Sequence, residues 1–246
     1  MYPQDWDRFF DYFYPETTTL FRSDSDAEAR AAMALAGCDS GADVLDCPCG
    51  EGRHAIPLAE MGYRVIASDR SPRALAEARQ RASGREWPRW VNADYRQLPF
   101  DRQRFDVVIN LFTGIGYYGD AADRVVFAEA CRVLRPGGAF VLEAMHRDRL
   151  MSEFRGEEWY ELPEGALLLD RGHFDHVAGM VDRTQTLIRS GGERVTARFR
   201  LRIYTATEIG AMLHEAGFME VEFFGGLIER EPLSAQRKLV AVARAP

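Results

Sequence analysis

The stretch Ala42-Asp43-Val44-Leu45-Asp46-Cys47-Pro48-Cys49-Gly50-Glu51-Gly52-Arg53-His54-Ala55 decides how the rest of the chain reads. Residues 42–46 predict a short buried strand, and Gly50-Glu51-Gly52 a tight turn. Residues 54–61 predict a helix stopped by Gly62, with Pro57 tolerated because it lies in the first turn. A glycine turn between strand and helix lets a ligand approach the backbone, and the first helical N–H groups favour a negative group. Taken alone, Gly50-x-Gly52-x-x-Ala55 also fits the dinucleotide-binding fingerprint, so the surroundings must decide.

Working outward, strands and helices alternate. Residues 63–68 predict the next strand, and Ser71 and Pro72 the N-cap and first position of a helix closing at Gly84. Residues 89–92 predict a weak strand and 105–110 a strong one. A helix opens at Asp120 and carries Val126, Phe127, Ala130 and Leu134 at helical spacing. Arg135-Pro136-Gly137-Gly138 ends it, and 139–143 predict a fifth strand. Such alternation predicts parallel β-α-β units with helices on both sheet faces.

The flanks read differently. Residues 1–20 are dense in aromatics (Tyr2, Trp6, Phe9, Phe10, Tyr12, Phe13 and Tyr14), which predicts a strap packed on the core or a lid over a pocket. A helix follows, with Ser25 as N-cap, Glu28 at capping-box spacing and Gly37 as stop. From Val195 to Tyr204 the period is two, Gly191-Gly192 supplies a hairpin turn, and 166–170 and 180–188 predict its partner strands. Thr205 and Glu208 form a further capping box, Gly217 ends that helix, and 218–224 and 238–243 predict the last two strands. The expected organisation is one domain: an aromatic strap and helix over 1–37, a core over 38–145, an antiparallel insert over 146–204 and a closing helix with two strands over 205–246.

Three acids fall at successive strand ends. Asp46 precedes the glycine turn, where a pyrophosphate would find a carboxylate unwelcome and a sulfonium or ammonium would find it helpful. Asp69 ends the next strand, where a carboxylate accepts ribose hydroxyls, and Asp94 follows the third, where it can accept from an adenine amine. That set describes a cationic adenosine ligand better than NAD. Residues 44–71, with Asn92-Ala93-Asp94-Tyr95, 105–110 and 132–138, resemble the class I S-adenosylmethionine-dependent methyltransferases of the small-molecule type. The resemblance covers roughly residues 40–145, and Pro48 departs from the first glycine of the family's acid-x-Gly-x-Gly-x-Gly motif.

The resemblance implies a doubly wound, Rossmann-like α/β fold with a seven-stranded, mostly parallel sheet in the order 3-2-1-4-5-7-6, strand seven reversed, plus the antiparallel β insert. It implies S-adenosylmethionine as cofactor, S-adenosylhomocysteine as product, and methyl transfer to an N, O or C nucleophile of a small molecule. Carried over residue by residue, Asp46, Cys47, Pro48, Gly50 and Gly52 would meet the methionine part, and Asn110 and Leu111 would line it. Asp69 would hold the ribose, with Arg70 beside the adenine, Asp94 on its amine and Tyr95 contributing its backbone amide.

On the substrate side, His146 follows the fifth strand and is the expected general base. Tyr14 and Tyr117 are expected to contact the acceptor, and Arg202 with Tyr204 to form an anionic-substrate clamp. Two readings of other classes stay open: an NAD(P)-dependent oxidoreductase, favoured by the glycine fingerprint, and a non-catalytic S-adenosylmethionine-binding protein.

Composition narrows the classes further. The 246 residues are 46% hydrophobic and 28% charged, as in a globular protein with a sizeable core. The net charge of −7 argues against nucleic acid as partner. Residues 1–7 lack a secretory start, and no run approaches a bilayer span, so a cytoplasmic protein without membrane partner is expected. Cys38, Cys47, Cys49 and Cys131 are too few and too irregular for a disulfide framework, and no metal site is expected.

Overall fold

The computed structural model describes residues 6, 9–17, 24–82, 84–162, 165–235 and 237–246. Of the aromatic strap, Tyr2 and the Tyr12 side chain lie outside the described residues. The strands are β1 Asp43–Asp46, β2 Arg64–Asp69, β3 Arg89–Asn92, β4 Phe105–Asn110, β5 Leu134–Ala144, β6 Glu157–Glu161, β7 Leu167–Asp175, β8 Met180–Ile188, β9 Arg194–Arg202, β10 Glu220–Phe224 and β11 Leu239–Arg244. The helices are α1 Ser25–Ala36, α2 Ala55–Glu60, α3 Pro72–Arg81, α4 Asp120–Val133, α5 Arg147–Glu153 and α6 Ala206–Glu215. Ahead of them, a π-helical turn at Phe9–Phe13 runs into a helical turn at Tyr14–Thr17.

Seven strands form one sheet in the order β10-β11-β5-β4-β1-β2-β3. β11 runs antiparallel to both neighbours while β1–β5 are mutually parallel, as the family resemblance implies. Alternation along β4 explains the layering. Val107 and Ile109 face a cluster with Ala32, Met33, Ala55 and Leu58 of α1 and α2, while Val108 faces Phe127 and Leu213 of α4 and α6. A parallel sheet buried on both faces needs such near-continuous apolar strands, and all four residues of β1 are buried.

β6–β9 form a separate antiparallel sheet, joined to the first by α5. The sequence missed β6, whose exposed Glu157, Trp159 and Glu161 give no clear apolar alternation. It also cut β7 short at Asp170, although pairing with β8 continues from Leu167↔Ile188 to Asp175↔Met180.

Two local expectations are corrected. Asp24, not Ser25, caps α1, its carboxylate accepting from the Asp26 and Ala27 N–H groups. Glu28 is therefore released from the predicted box and is buried against Arg53 and His54. In addition, Arg135-Pro136-Gly137-Gly138 does not lie before the fifth strand but inside it, at a register shift of β5 against β4.

Candidate active site

Parallel pairing brings the strand ends to one rim. Asp46 is level with Ala67 of β2 and Ile109 of β4, so Asp69 and Asn110 stand just beyond it at the same edge. Asp69 is level with Asn92, and Asp94 follows two residues later. Over this rim lies a cavity of about 360 Å³, within the usual range for small-molecule sites. One end is lined by Asp69, Arg70 and the start of α3, the middle by Pro48, Gly50 and His54, and the other end by Leu111, Phe112, Tyr117 and Tyr14.

The glycine turn is fixed from both sides. Gly50 donates its N–H to Asp69 Oδ2 at 2.8 Å, and Ser71 donates its own to Oδ1 at 2.8 Å, so one carboxylate ties the turn to the start of α3. At Gly52 (φ +77°) a Cβ would lie 2.5 Å from the Trp90 ring, so no side chain fits there. Gly114 is equally confined, since a Cβ would meet Asn110 Oδ1 at 2.2 Å.

Charge is distributed unevenly along the rim. Asp46 is 1% exposed, and its Oδ2 has no hydrogen-bond partner among the described residues. Burial, reinforced by the charge of Asp69, pushes its carboxyl well above the ordinary range, against a hydrogen bond from the Ala55 backbone. The Cys47 and Cys49 thiols are buried and pushed up by desolvation and by the same acids, which leaves them as unreactive packing groups. Asp94 behaves in the opposite way. Arg96 donates Nε to its Oδ1 at 2.9 Å and Nη2 to Oδ2 at 2.5 Å, and this pairing lowers the carboxyl. Nearby, the Tyr95 hydroxyl is buried without a partner.

Of the residues expected to bind cofactor, Pro48, Gly50, Asp69, Arg70, Tyr95 and Leu111 line the cavity. Asp46, Cys47, Gly52, Asp94 and Asn110 are not among its lining residues. Asp46 and Asn110 end the two central strands, one or two residues before lining positions. Asn110 is buried with both amide atoms unpartnered. Tyr14 and Tyr117 also line the cavity, and the Tyr117 hydroxyl donates to the Thr113 carbonyl at 2.8 Å.

Three residues expected on the substrate side stand outside the cavity lining. Arg202 is buried and committed to structure: it pairs with Glu208, donates Nε to Asp120 Oδ1 at 2.9 Å and caps the Gly179 carbonyl. Tyr204 is also buried, donating to Asp123 Oδ2 at 2.6 Å and Asp120 Oδ1 at 3.1 Å. Together they hold β9 to α4 and α6 and do not line this cavity. His146 is 3% exposed, bridges to Tyr204 and places Nδ1 3.2 Å from the Arg237 carbonyl. It too lies outside the lining of the cavity.

The histidine that does line it is His54, whose Nε2 lies 3.0 Å from Glu28 Oε2. Arg53 pairs with the same carboxylate, donates Nε to Ser25 Oγ at 2.9 Å and places its guanidinium 4.7 Å from the Phe112 ring centroid. The sequence offered one signal for this cluster, Ser25 and Glu28 spaced three apart, which was read as a helix cap.

Comparison with known proteins agrees with this geometry. Residues 44–138 match the methyltransferase domain family. A demethylmenaquinone methyltransferase of Clavibacter sepedonicus is 35% identical over 130 residues, 52% of each chain. A glycine/sarcosine N-methyltransferase of Parasynechococcus marenigrum is 32% identical over 151 residues, 59% of this chain and 50% of that one. The chain thus spans about half the length of these curated relatives. The CcbJ methyltransferase of Streptomyces caelestis superposes with a TM-score of 0.80 at 26% identity, over 91% of this chain and 90% of that one. Among the described residues, no helix is long and apolar enough to cross a membrane.

Proposed function

We propose that this chain is a class I S-adenosylmethionine-dependent methyltransferase, as its match to the methyltransferase domain family over residues 44–138 and its fold support, and that it methylates a nucleophilic N, O or C atom of a small molecule inside the cavity. The observation that carries the reading is a set of buried polar groups without partners at the strand ends: Asp46 Oδ2, both amide atoms of Asn110 and the Tyr95 hydroxyl. Unpartnered buried groups are costly, and a ligand with a cationic centre and an adenosine moiety offers what they lack.

S-adenosylmethionine fits these residues. Asp46 places a carboxylate oxygen, unpartnered among the described residues, beneath the glycine turn, and Asp69 offers carboxylate oxygens at the end of β2. We assign Pro48, Gly50, Asn110 and Leu111 to its methionine part, with Asp69, Arg70 and Tyr95 on the adenosine. When bound, its sulfonium supplies a methyl group already activated toward nucleophiles. The chain's own work is then to align the acceptor and exclude water, which oriented binding in a closed site achieves. The aromatic wall of Phe10, Tyr14, Tyr117 and Tyr118 suits that task. Within the same proposal, residues 38–145 bind the cofactor and 146–204 shape the acceptor side.

Calorimetry with S-adenosylhomocysteine tests the cofactor assignment, with NADH as the competing ligand. Saturable binding of the first and none of the second is expected, and the reverse would transfer the chain to the oxidoreductases. Turnover against a panel of small amines, phenols and activated carbons, following S-adenosylhomocysteine release, then separates an enzyme from a non-catalytic binder.

A further inference from the structure

We infer that Thr113 is a ligand-positioning residue: Glu143 holds it in left-handed backbone so that its hydroxyl meets the methyl donor. The inference rests on the cofactor reading above and adds a residue that the family motifs do not supply.

Phe112 and Thr113 have φ angles of 61° and 65°, two consecutive non-glycine residues in the left-handed region. For a β-branched side chain such as threonine this is an outlier, and glycine or asparagine would sit there with less strain. Strain of this kind persists only where the surroundings over-determine it. They do so here. Glu143, 3% exposed at the end of β5, accepts the Phe112 N–H on Oε2 at 3.1 Å and the Thr113 N–H on its main-chain oxygen at 3.1 Å. Its other carboxylate oxygen accepts from Lys238 Nζ at 2.6 Å, which ties the brace to the start of β11.

Both backbone polar groups of Thr113 are thereby engaged, the N–H by Glu143 and the carbonyl by the Tyr117 hydroxyl. The side-chain hydroxyl is different. Thr113 lines the cavity, and its hydroxyl makes no hydrogen bond among the described residues. A strained backbone with every main-chain group satisfied and one hydroxyl left over is a device for presenting that hydroxyl. Leu111, two positions earlier, lines the same wall, and Gly114 packs directly on Asn110 and Pro48. Thr113 therefore stands beside the segment assigned to the methionine part of the donor.

The test uses the full chain, with S-adenosylhomocysteine affinity by calorimetry and Tm read in parallel. Thr113→Val keeps the branched shape and removes the hydroxyl: affinity should fall about 3- to 10-fold, the worth of one hydrogen bond, with Tm little changed. Thr113→Ser restores the hydroxyl and should bind within about twofold of wild type. Thr113→Gly relieves the backbone, so Tm should rise by about 1–3 °C while affinity falls. That opposition distinguishes positioning from packing, because a residue kept only for structure would lose stability when replaced. Wild-type affinity in Thr113→Val would overturn this inference alone. Failure of the wild-type chain to bind S-adenosylhomocysteine would overturn the functional reading and the inference with it.

Discussion

Asp43 and Asp46 open and close the same four-residue strand, are both buried, and have their carboxyls driven in opposite directions. At the amino edge of the sheet, Asp43 accepts from Arg64 at 2.9 Å and Arg135 at 2.8 Å and stands 3.3 Å from Arg104. Its carboxyl is held far below the ordinary range, first by the Arg64 hydrogen bond. At the carboxyl edge, Asp46 has among the described residues no cation against it and an unpartnered oxygen, and burial drives it up. Two identical side chains three residues apart thus serve different ends. The paired one is held toward its ionised form by its arginines, and the unpaired one toward its neutral form where the glycine turn opens.

The difference can be broken or sharpened by substitution. Asp43→Ala strips three arginines of their shared carboxylate and should cost about 3 kcal/mol in urea unfolding, discounted from the fully buried case because the arginines are partly exposed. S-adenosylhomocysteine affinity of the folded fraction should be unchanged; weakened binding would show that the two edges are coupled.

A second buried acid provides a pH readout. Burial raises Asp123 to about 6, so the native state takes up its proton before the unfolded chain does. Stability from this group is full below the unfolded carboxylate range and is lost as pH rises through about 6. Between pH 5 and 7.5 the loss should be about 1–2 kcal/mol. Asp123→Asn should remove that slope in denaturant midpoints, and an unaltered slope would assign it to other groups.

Asp46→Asn removes the carboxyl that a cationic ligand would hold ionised, while retaining an acceptor for the Ala55 backbone. Affinity for S-adenosylmethionine should fall about tenfold with stability equal to wild type or higher. A loss of stability without a change in affinity would reverse the contrast between the strand's two ends. The smallest effect is expected for His146→Gln, which lies outside the cavity lining and should leave S-adenosylhomocysteine affinity within about twofold.

Legibility of the site followed the same division. Residues whose role depends on backbone position were readable: the glycine turn, Asp69 at a strand end and Leu111 after β4 all reached the cavity wall. Residues assigned a role by side-chain type divided: Tyr14 and Tyr117 line the cavity, whereas His146, Arg202 and Tyr204 do not. His146, after β5, and Arg202, the last residue of β9, have suitable chemistry, yet one turns toward the Arg237 carbonyl and the other into Asp120 and Glu208. His54 and Thr113 were overlooked because nothing local distinguishes them. Their partners, Glu28 and Glu143, are 26 and 30 residues away along the chain.

What the sequence determined by itself was the order of elements and the rim on which the site lies. Period, caps and glycine turns act over a few residues, and a parallel β-α-β chain has few ways to close. Which side chains face the cavity was decided only by the tertiary structure. A polar group turns toward whichever partner packing brings within hydrogen-bond reach, and those partners come from distant segments. Arg202 found Asp120, Tyr204 found Asp123, and Asp46 found no cation among the described residues.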